Sequence, residues 1–397
     1  VTIQANNLRF LSVETRDHKQ NAKVRIISRF YNDVHASQPQ PLSAIATSSK
    51  DARMSATLRD VALMAGVHTA TAARALSEAT RHKVAASTRA RVEQAAAKLG
   101  YMAHAAAATL RTGRSGFVGM LVPDLANPLF APMLKSAEAR LRTKGWTILI
   151  AQVAPHEEDR LTALRTLITK RVDGLILATS QSNDPILTMA AQHNIPTVLI
   201  NRGLGDRRFP CVVNDDNESM RLTVAHLKGL GHQHFLHLSG PRNSSTGMAR
   251  LEGFKRWAGS KHAVVEAGNF TRDAGYQSMR AHLHKTSSGC TQTAVVCGND
   301  LIALGAIEAI RESGGDVPND FSVVGHNDTP FMDLVSPALT TVHVHTDLMG
   351  QEAADVLVQR MQAPTSAVPA SRLLHPDLVL RDSTAKPRTQ KVFKPKR

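Results

Sequence analysis

The residues of this chain best suited to chemistry are suited to binding rather than to making bonds. The sequence contains no G-x-S-x-G elbow, no P-loop and no strand-borne G-x-G-x-x-G, so catalysis has no positive support. His232, His234 and His237 (GHQHFLH) alternate across a turn and a strand rather than sharing a helix face, and no carboxylate or cysteine accompanies them. No metal or other cofactor is therefore expected. What stands out instead is Arg74, which can donate a bidentate pair to guanine or grip a phosphate, near Ala70, whose methyl suits thymine. Further on, Asn127-Pro128-Leu129-Phe130 follows an apolar run that reads as a strand, and open α/β sheets bind ligands at such carboxyl ends. Phe130 could stack on a sugar or base there, or simply pack in the core. Asn299-Asp300 opens a helical stretch, where capping is the plain reading.

Arg74 needs a scaffold, and residues 57–77 (TLRDVALMAGVHTATAARALS) supply one. Leu58, Val61, Ala62 and Ala65 share one face at helical spacing. Gly66 stands where a left-handed residue lets the chain reverse. Val67 follows as an apolar plug in the turn. A second short helical run then offers Thr71, Ala72, Ala75 and Leu76 for packing and leaves Thr69, Ala70 and Arg74 outward. Two short helices around a glycine turn describe a helix-turn-helix, whose second helix enters the major groove. A third helix is expected over roughly Ser87–Leu99. Arg81, His82 and Lys83 in the intervening loop could touch phosphates or stay solvated.

Charge supports this division. The formal net charge is +15, but residues 116–382 hold 25 basic and 26 acidic side chains. The excess lies in residues 1–53 (8 basic, 4 acidic), 54–115 (9 and 3) and 383–397 (6 and 0). A basic headpiece on a neutral body is the distribution of a DNA-binding protein. Cys211, Cys290 and Cys297, an odd number without CxxC spacing, fit a reducing compartment. The amino terminus lacks the apolar run of a signal peptide and no stretch reaches membrane-spanning length, so a cytoplasmic, nucleoid-associated protein is expected.

From Phe117 the pattern changes to short apolar strands alternating with longer amphipathic helices. Phe117–Val122, Thr147–Ala151, Gly174–Leu177 and Thr197–Ile200 read as buried strands. A second series follows at His234–Leu238, Ala263–Glu266, Ala294–Cys297 and Phe321–Gly325. Such alternation gives parallel sheets covered on both faces, and two series give two doubly wound lobes with a cleft between them. Residues 1–53 are polar, carry no motif and are expected to be a disordered extension. The basic, proline-containing tail, residues 383–397, shows no leucine heptads and is expected to be disordered as well.

Thr57, Asp60, Val61, Ala62, Ala65, Gly66, Val67, Thr71, Arg74 and Leu76 together resemble the amino-terminal signature of the LacI/GalR family of bacterial repressors. The likeness continues through Ser87–Tyr101 into Leu110, and family-like motifs recur to about Leu380. It implies a small all-α headpiece (54–100), a hinge helix and linker (101–115), and a two-lobed, periplasmic-binding-protein-like α/β domain (116–382) that binds an effector and dimerises. Three crossovers would join the lobes, with a helix around Thr346–Met361 returning to the first and Leu373–Leu380 to the second. The resemblance places Thr57, His68, Thr69, Ala70, Thr71, Arg74, Tyr101, His104, Leu110 and Arg111 at the DNA. Leu110 would be the minor-groove wedge and Ala107 the small residue of the dimer contact. His68 and Ala73 stand where relatives carry serine, and Ala103-His104 where they carry Pro-Asn.

For the effector, the resemblance points to Asn127, Phe130, Asn201, Thr246, Arg250, Phe270, Asn299 and Asn327. Arg250 matches the family's effector-gripping arginine, a fixed donor fork for hydroxyls or a carboxylate; bracing the nearby Gly240-Pro241 turn is its structural alternative. Relatives place an ionised Asp where Asn327 stands, so either Asn327 reads a different ligand or Asp328 supplies the carboxylate. The implied function is a homodimeric repressor of a pseudo-palindromic operator, controlled by a sugar, sugar acid or nucleobase-like molecule, with no membrane partner. A solute-binding protein on the same fold is the second reading and an enzyme the third.

Overall fold

The computed structural model describes residues 56–77, 80–101, 114–153, 156–179, 184–203, 208–286, 289–363, 370–388 and 392–395. The expected extension, and most of the expected hinge with Ala107, lie outside the described residues. The chain forms two compact units that divide after Ala103.

The first unit holds helices α1 (Leu58–Met64), α2 (Thr69–Leu76) and α3 (Ala86–Leu99), with a single 3-10 turn at Arg81–Lys83. A capping box starts α1. Thr57 Oγ1 accepts from the Asp60 amide at 3.3 Å, and Asp60 Oδ2 accepts from the Thr57 amide at 2.8 Å. These bonds hold the Asp60 carboxyl below its usual range. Gly66, at φ +63°, reverses the chain, and the Val67 amide closes the turn onto Ala62 O at 3.0 Å. The core is mostly alanine: Ala62, Ala65, Ala72, Ala75, Ala95 and Ala96 pack with Val61 and Val92, and small side chains let three short helices cross closely.

The second unit is built from two six-stranded sheets. Lobe 1 contains β1 (Phe117–Val122), β2 (Thr147–Gln152), β3 (Gly174–Leu177), β4 (Thr197–Ile200), β5 (Cys211–Asn214) and β11 (Arg372–Leu374), all parallel in the order β11-β5-β4-β3-β1-β2. Lobe 2 contains β6 (Phe235–Ser239), β7 (His262–Glu266), β8 (Ala294–Cys297), β9 (Ser322–Asn327), β10 (Thr340–His343) and β12 (Asp377–Val379), ordered β12-β10-β9-β8-β6-β7 with only β12 antiparallel. The central strands are mostly apolar because helices cover both faces. In lobe 1 these are α4 (Phe130–Arg142) and α11 (Thr346–Gln362) on one side, α5 (Glu157–Thr169) and α6 (Pro185–Gln192) on the other. In lobe 2, α7 (Asp216–Gly229) and α8 (Ser245–Ala258) oppose α9 (Arg272–Lys285) and α10 (Asp300–Glu312). The chain crosses between lobes after β5, after β10 and after β11, the three crossovers that the family resemblance implies.

Two expectations fail here. Leu373–Leu380 does not return to lobe 2 as a whole. It divides, β11 extending the lobe 1 sheet beside β5 and β12 closing the lobe 2 sheet beside β10. The carboxyl-terminal segment, expected to be disordered from residue 383, is docked where it is described. Ser383 is fully buried, donating to Val323 O at 2.6 Å and accepting from the Thr340 amide at 2.8 Å. Arg388 lies over the Phe321 ring, 5.1 Å from its centroid, and Phe393 exchanges backbone hydrogen bonds with Cys290.

Helices α9 and α10 meet through glycines. A Cβ on Gly305 would collide with the backbone carbonyl of Arg272, and one on Gly275 with that of Ile302. Gly305→Ala should therefore lower stability by about 1–3 kcal/mol, because a backbone wall cannot yield as a side chain does. Helix propensity alone would raise stability by roughly 1 kcal/mol, so the sign of the shift in urea midpoint decides between the two effects.

Candidate functional site

On the headpiece, α2 presents Ala70, Ala73 and Arg74 as exposed residues beside the half-buried Thr69 and Thr71. His68 takes over the capping that relatives leave to serine: its Nδ1 accepts from the Ala70 amide at 3.2 Å. Among the described residues the Arg74 guanidinium has no ion-pair partner, and its exposed side chain is available to a ligand. Thr57 is engaged in the capping box, and Tyr101 packs its ring against the headpiece core. His104, Leu110 and Arg111 lie outside the described residues.

In the second unit the strand carboxyl ends of both lobes face one cavity of about 380 Å³. All eight candidate effector residues line it: Asn127, Phe130 and Asn201 from lobe 1, and Thr246, Arg250, Phe270, Asn299 and Asn327 from lobe 2. Several of them also serve the fold. Asn127 Oδ1 accepts from the Leu129 amide at 3.1 Å to shape the turn into α4. Phe130 belongs to the lobe 1 core and lines the cavity too, so its two readings coexist. Asn299 Oδ1 caps α10 through the Ile302 amide at 2.8 Å, while its Nδ2 donates to Phe270 O at 3.2 Å and so fixes that ring's backbone. Thr246 and Ser244 share a hydrogen bond of 2.8 Å.

Asn201 (φ +62°) and Asn327 (φ +117°) are held in the left-handed half of backbone space, as is Asp328 (φ +52°). Asn and Asp tolerate such geometry better than other non-glycine residues, and strain of this kind concentrates at ligand sites. It also separates the two candidates at the end of β9. Asn327 lines the cavity, whereas Asp328 binds Arg381 Nη2 at 2.7 Å and His343 Nδ1 at 2.9 Å. Asp328 is committed elsewhere. Asp300 is likewise buried away from the cavity, accepting from the Thr329 amide, Thr329 Oγ1 and Thr341 Oγ1. Burial pushes its carboxyl up to about 6.

Arg250 is 2% exposed. Its Nε donates to Asp216 Oδ1 at 3.0 Å and its Nη1 to Gly298 O at 2.6 Å, so it braces the start of α7 and the end of β8 rather than the Gly240-Pro241 turn. Two further arginines in the cavity wall, Arg160 and Arg202, escape sequence reasoning altogether. Arg160 sits in the run Glu157-Glu158-Asp159-Arg160, which looks like a solvated first turn, yet it is buried against Asp184 at 2.6 Å. Burial first, then the charges of Arg160 and Arg250, lower the Arg202 guanidinium to about 10. The three histidines of GHQHFLH go separate ways: His232 bonds Thr293, Ser322 and Ala385, and His237 stacks on Phe254 inside lobe 2.

A headpiece with an exposed second helix, and a two-lobed α/β body with an amide- and arginine-lined cleft, define a DNA-binding regulator with a small-molecule pocket. Comparison with known proteins agrees. Residues 57–103 match the family described as bacterial regulatory proteins, lacI family, and residues 224–384 match the periplasmic binding protein-like domain. The chain is 30% identical to the transcriptional repressor PurR of Glaesserella parasuis, over 83% of this chain and 98% of that protein. It is 33% identical to the transcriptional regulator MalR of Streptomyces coelicolor, over 84% and 97%. Among solved structures it resembles the Lac repressor dimer bound to operator and an anti-inducer, with a TM-score of 0.73 at 31% identity over 83% of this chain and 99% of that one. The chain belongs to the LacI family of bacterial regulatory proteins. It is a transcriptional regulator of the repressor type and not an enzyme. Among the described residues no helix is long and apolar enough to cross a membrane.

Proposed function

We propose that this protein is a homodimeric repressor that binds a pseudo-palindromic operator in the cytoplasm and is controlled by a small polar metabolite held between the two lobes. The observation that carries the reading is the cavity itself. Its walls are donated by both lobes, so a ligand that bonds Asn127 and Asn201 on one side and Arg250, Asn299 and Asn327 on the other favours one lobe-to-lobe angle over others. A change of that angle, passed to residues 101–115 as the hinge, alters DNA affinity, and the two effects are thermodynamically reciprocal. Relatives support a polar effector, among them a LacI-family regulator of Enterococcus faecium solved with bound ribose (TM-score 0.60, 27% identity over 68% of this chain and 99% of that one). A solute carrier on the same fold would have no use for the exposed face of α2.

The test is selection of binding sites from random DNA, followed by titration of the selected operator at fixed salt. Arg74→Ala should weaken that operator by about 1–3 kcal/mol and leave effector binding intact. An unchanged operator isotherm would remove Arg74 from the interface. Sedimentation of the same sample as a monomer on DNA would overturn the homodimer.

A further inference from the structure

The lobe 1 wall of the cleft contains charge that a neutral ligand would leave unanswered. Arg160 Nη2 meets Asp184, but among the described residues the buried Arg160 Nε and Nη1 have no hydrogen-bond partner. Arg202 Nε is also buried and unpartnered, and among the described residues no acidic side chain forms an ion pair with Arg202. Both residues line the cavity alongside Arg250. Among the described residues the acids nearby are already assigned. Asp184 pairs with Arg160 and caps α6 through the Ile186 amide at 3.1 Å, and Asp216 pairs with Arg250. Asp124, the acid in the cavity lining, turns its Oδ1 to the Ala126 amide at 2.9 Å.

A purely structural role explains one nitrogen of Arg160, the one that braces Asp184. It leaves three buried guanidinium nitrogens on two neighbouring side chains with nothing to bond among the described residues, and unsatisfied charged donors are among the costliest groups to bury. Hydroxyls of a neutral sugar could bond them but would not offset the charge. A carboxylate or phosphate does both, because its oxygens match the guanidinium fork. Burial and the neighbouring Arg160 and Arg250 charges depress Arg202, yet at about 10 it remains protonated at neutral pH.

We propose that the effector is an anion, a polar metabolite whose carboxylate or phosphate monoester sits between Arg160 and Arg202 while its hydroxyl-bearing part faces Arg250, Asn299 and Asn327. This rests on reading the cleft as the effector site. The test is calorimetry on the full chain, at constant ionic strength, with D-glucose, D-gluconate and D-glucose 6-phosphate, and with D-ribose and D-ribose 5-phosphate. At least one anion should bind on the order of 30-fold or more tightly than its neutral parent, and Arg202→Gln should remove that advantage. Arg202→Gln should also raise the melting temperature of the ligand-free protein by about 2 °C, since it removes a half-buried charge whose Nε is buried without a partner among the described residues. Arg202→Lys, which keeps the charge and loses the fork, should retain part of the preference. Neutral parents binding as tightly as their anions, no binding by any anion, unchanged anion affinity in Arg202→Gln, or a destabilised ligand-free Arg202→Gln would each overturn the proposal. Operator titrations on the same samples separate it from the regulator reading. A neutral ligand that shifts operator affinity overturns the anion alone, whereas an anion that binds without shifting it upholds the anion and overturns the control of DNA.

Discussion

Arg250→Ala should lower the unfolding free energy by about 3–5 kcal/mol and abolish ligand response in whatever protein remains folded. The family likeness makes Arg250 a ligand contact, from which a folded but unresponsive mutant would follow. The structure gives it a second duty. Its Nε holds Asp216, the first residue of α7, and its Nη1 holds Gly298 O at the end of β8, with the side chain almost wholly buried. Truncation leaves Asp216 in the interior with only Asn214 Nδ2, 3.2 Å away, as a remaining donor. His326 Nε2 lies 3.5 Å from the same carboxylate, but with Arg250 gone burial still favours its neutral ring, so it is a poor substitute for a guanidinium. The cost of breaking a buried pair is mainly the charge left behind, so Arg250→Met combined with Asp216→Asn should recover most of the lost stability. Urea unfolding of the two variants checks this. A loss under about 1 kcal/mol in Arg250→Ala would mean that the pair does not brace the lobe.

Stability should fall as the pH drops from 7 to 5, with His237 alone contributing about 2 kcal/mol of the loss. His237 is fully buried, its Nδ1 bonded to Val296 O at 2.8 Å and its ring stacked on Phe254, and burial lowers its pKa to about 4. The folded chain thus refuses a proton that the unfolded chain accepts below about 6.5, and stability is lost as pH falls through that window. His326, also driven down by burial, acts in the same direction, as do His226, His232 and His282. Asp300 opposes them. Its raised pKa of about 6 means that the folded state keeps a proton the unfolded state releases, which returns about 1 kcal/mol on going from pH 7 to 5. Histidines outnumber it, so the net slope is acid-destabilising. Urea midpoints across this range test the sign, and His237→Leu should flatten the curve. A midpoint that rises on acidification would show Asp300 dominating instead.

The features legible in the sequence are those whose signals lie within a few residues of one another. Thr57 and Asp60 are three apart, Gly66 ends the turn it makes possible, and the helical face of α1 repeats every third or fourth residue, so the headpiece can be read directly. The apolar runs of β1, β3, β4 and β8 announce themselves because strands covered on both faces are predominantly apolar. The eight cleft residues from Asn127 to Asn327 were reachable through the family likeness, and the fold brings all of them to one cavity. β5, β10, β11 and β12 are less legible, because their short runs mix polar with apolar residues and are defined by the neighbours they pair with rather than by their own pattern. The docking of Phe393 on Cys290 depends on a contact across 103 positions of chain, and nothing local marks it. The same holds for the cleft's charge. Arg160 reads as a solvated residue until the sheet order of lobe 1 brings Asp184 beside it, and Arg202 is an ordinary loop arginine until β4 places it next to Arg160 and Arg250. By itself the sequence determined that this chain is built as a ligand-responsive, DNA-binding regulator. Only the tertiary structure decided which charges meet in the cleft, because burial and electrostatic neighbours are properties of packing between distant segments.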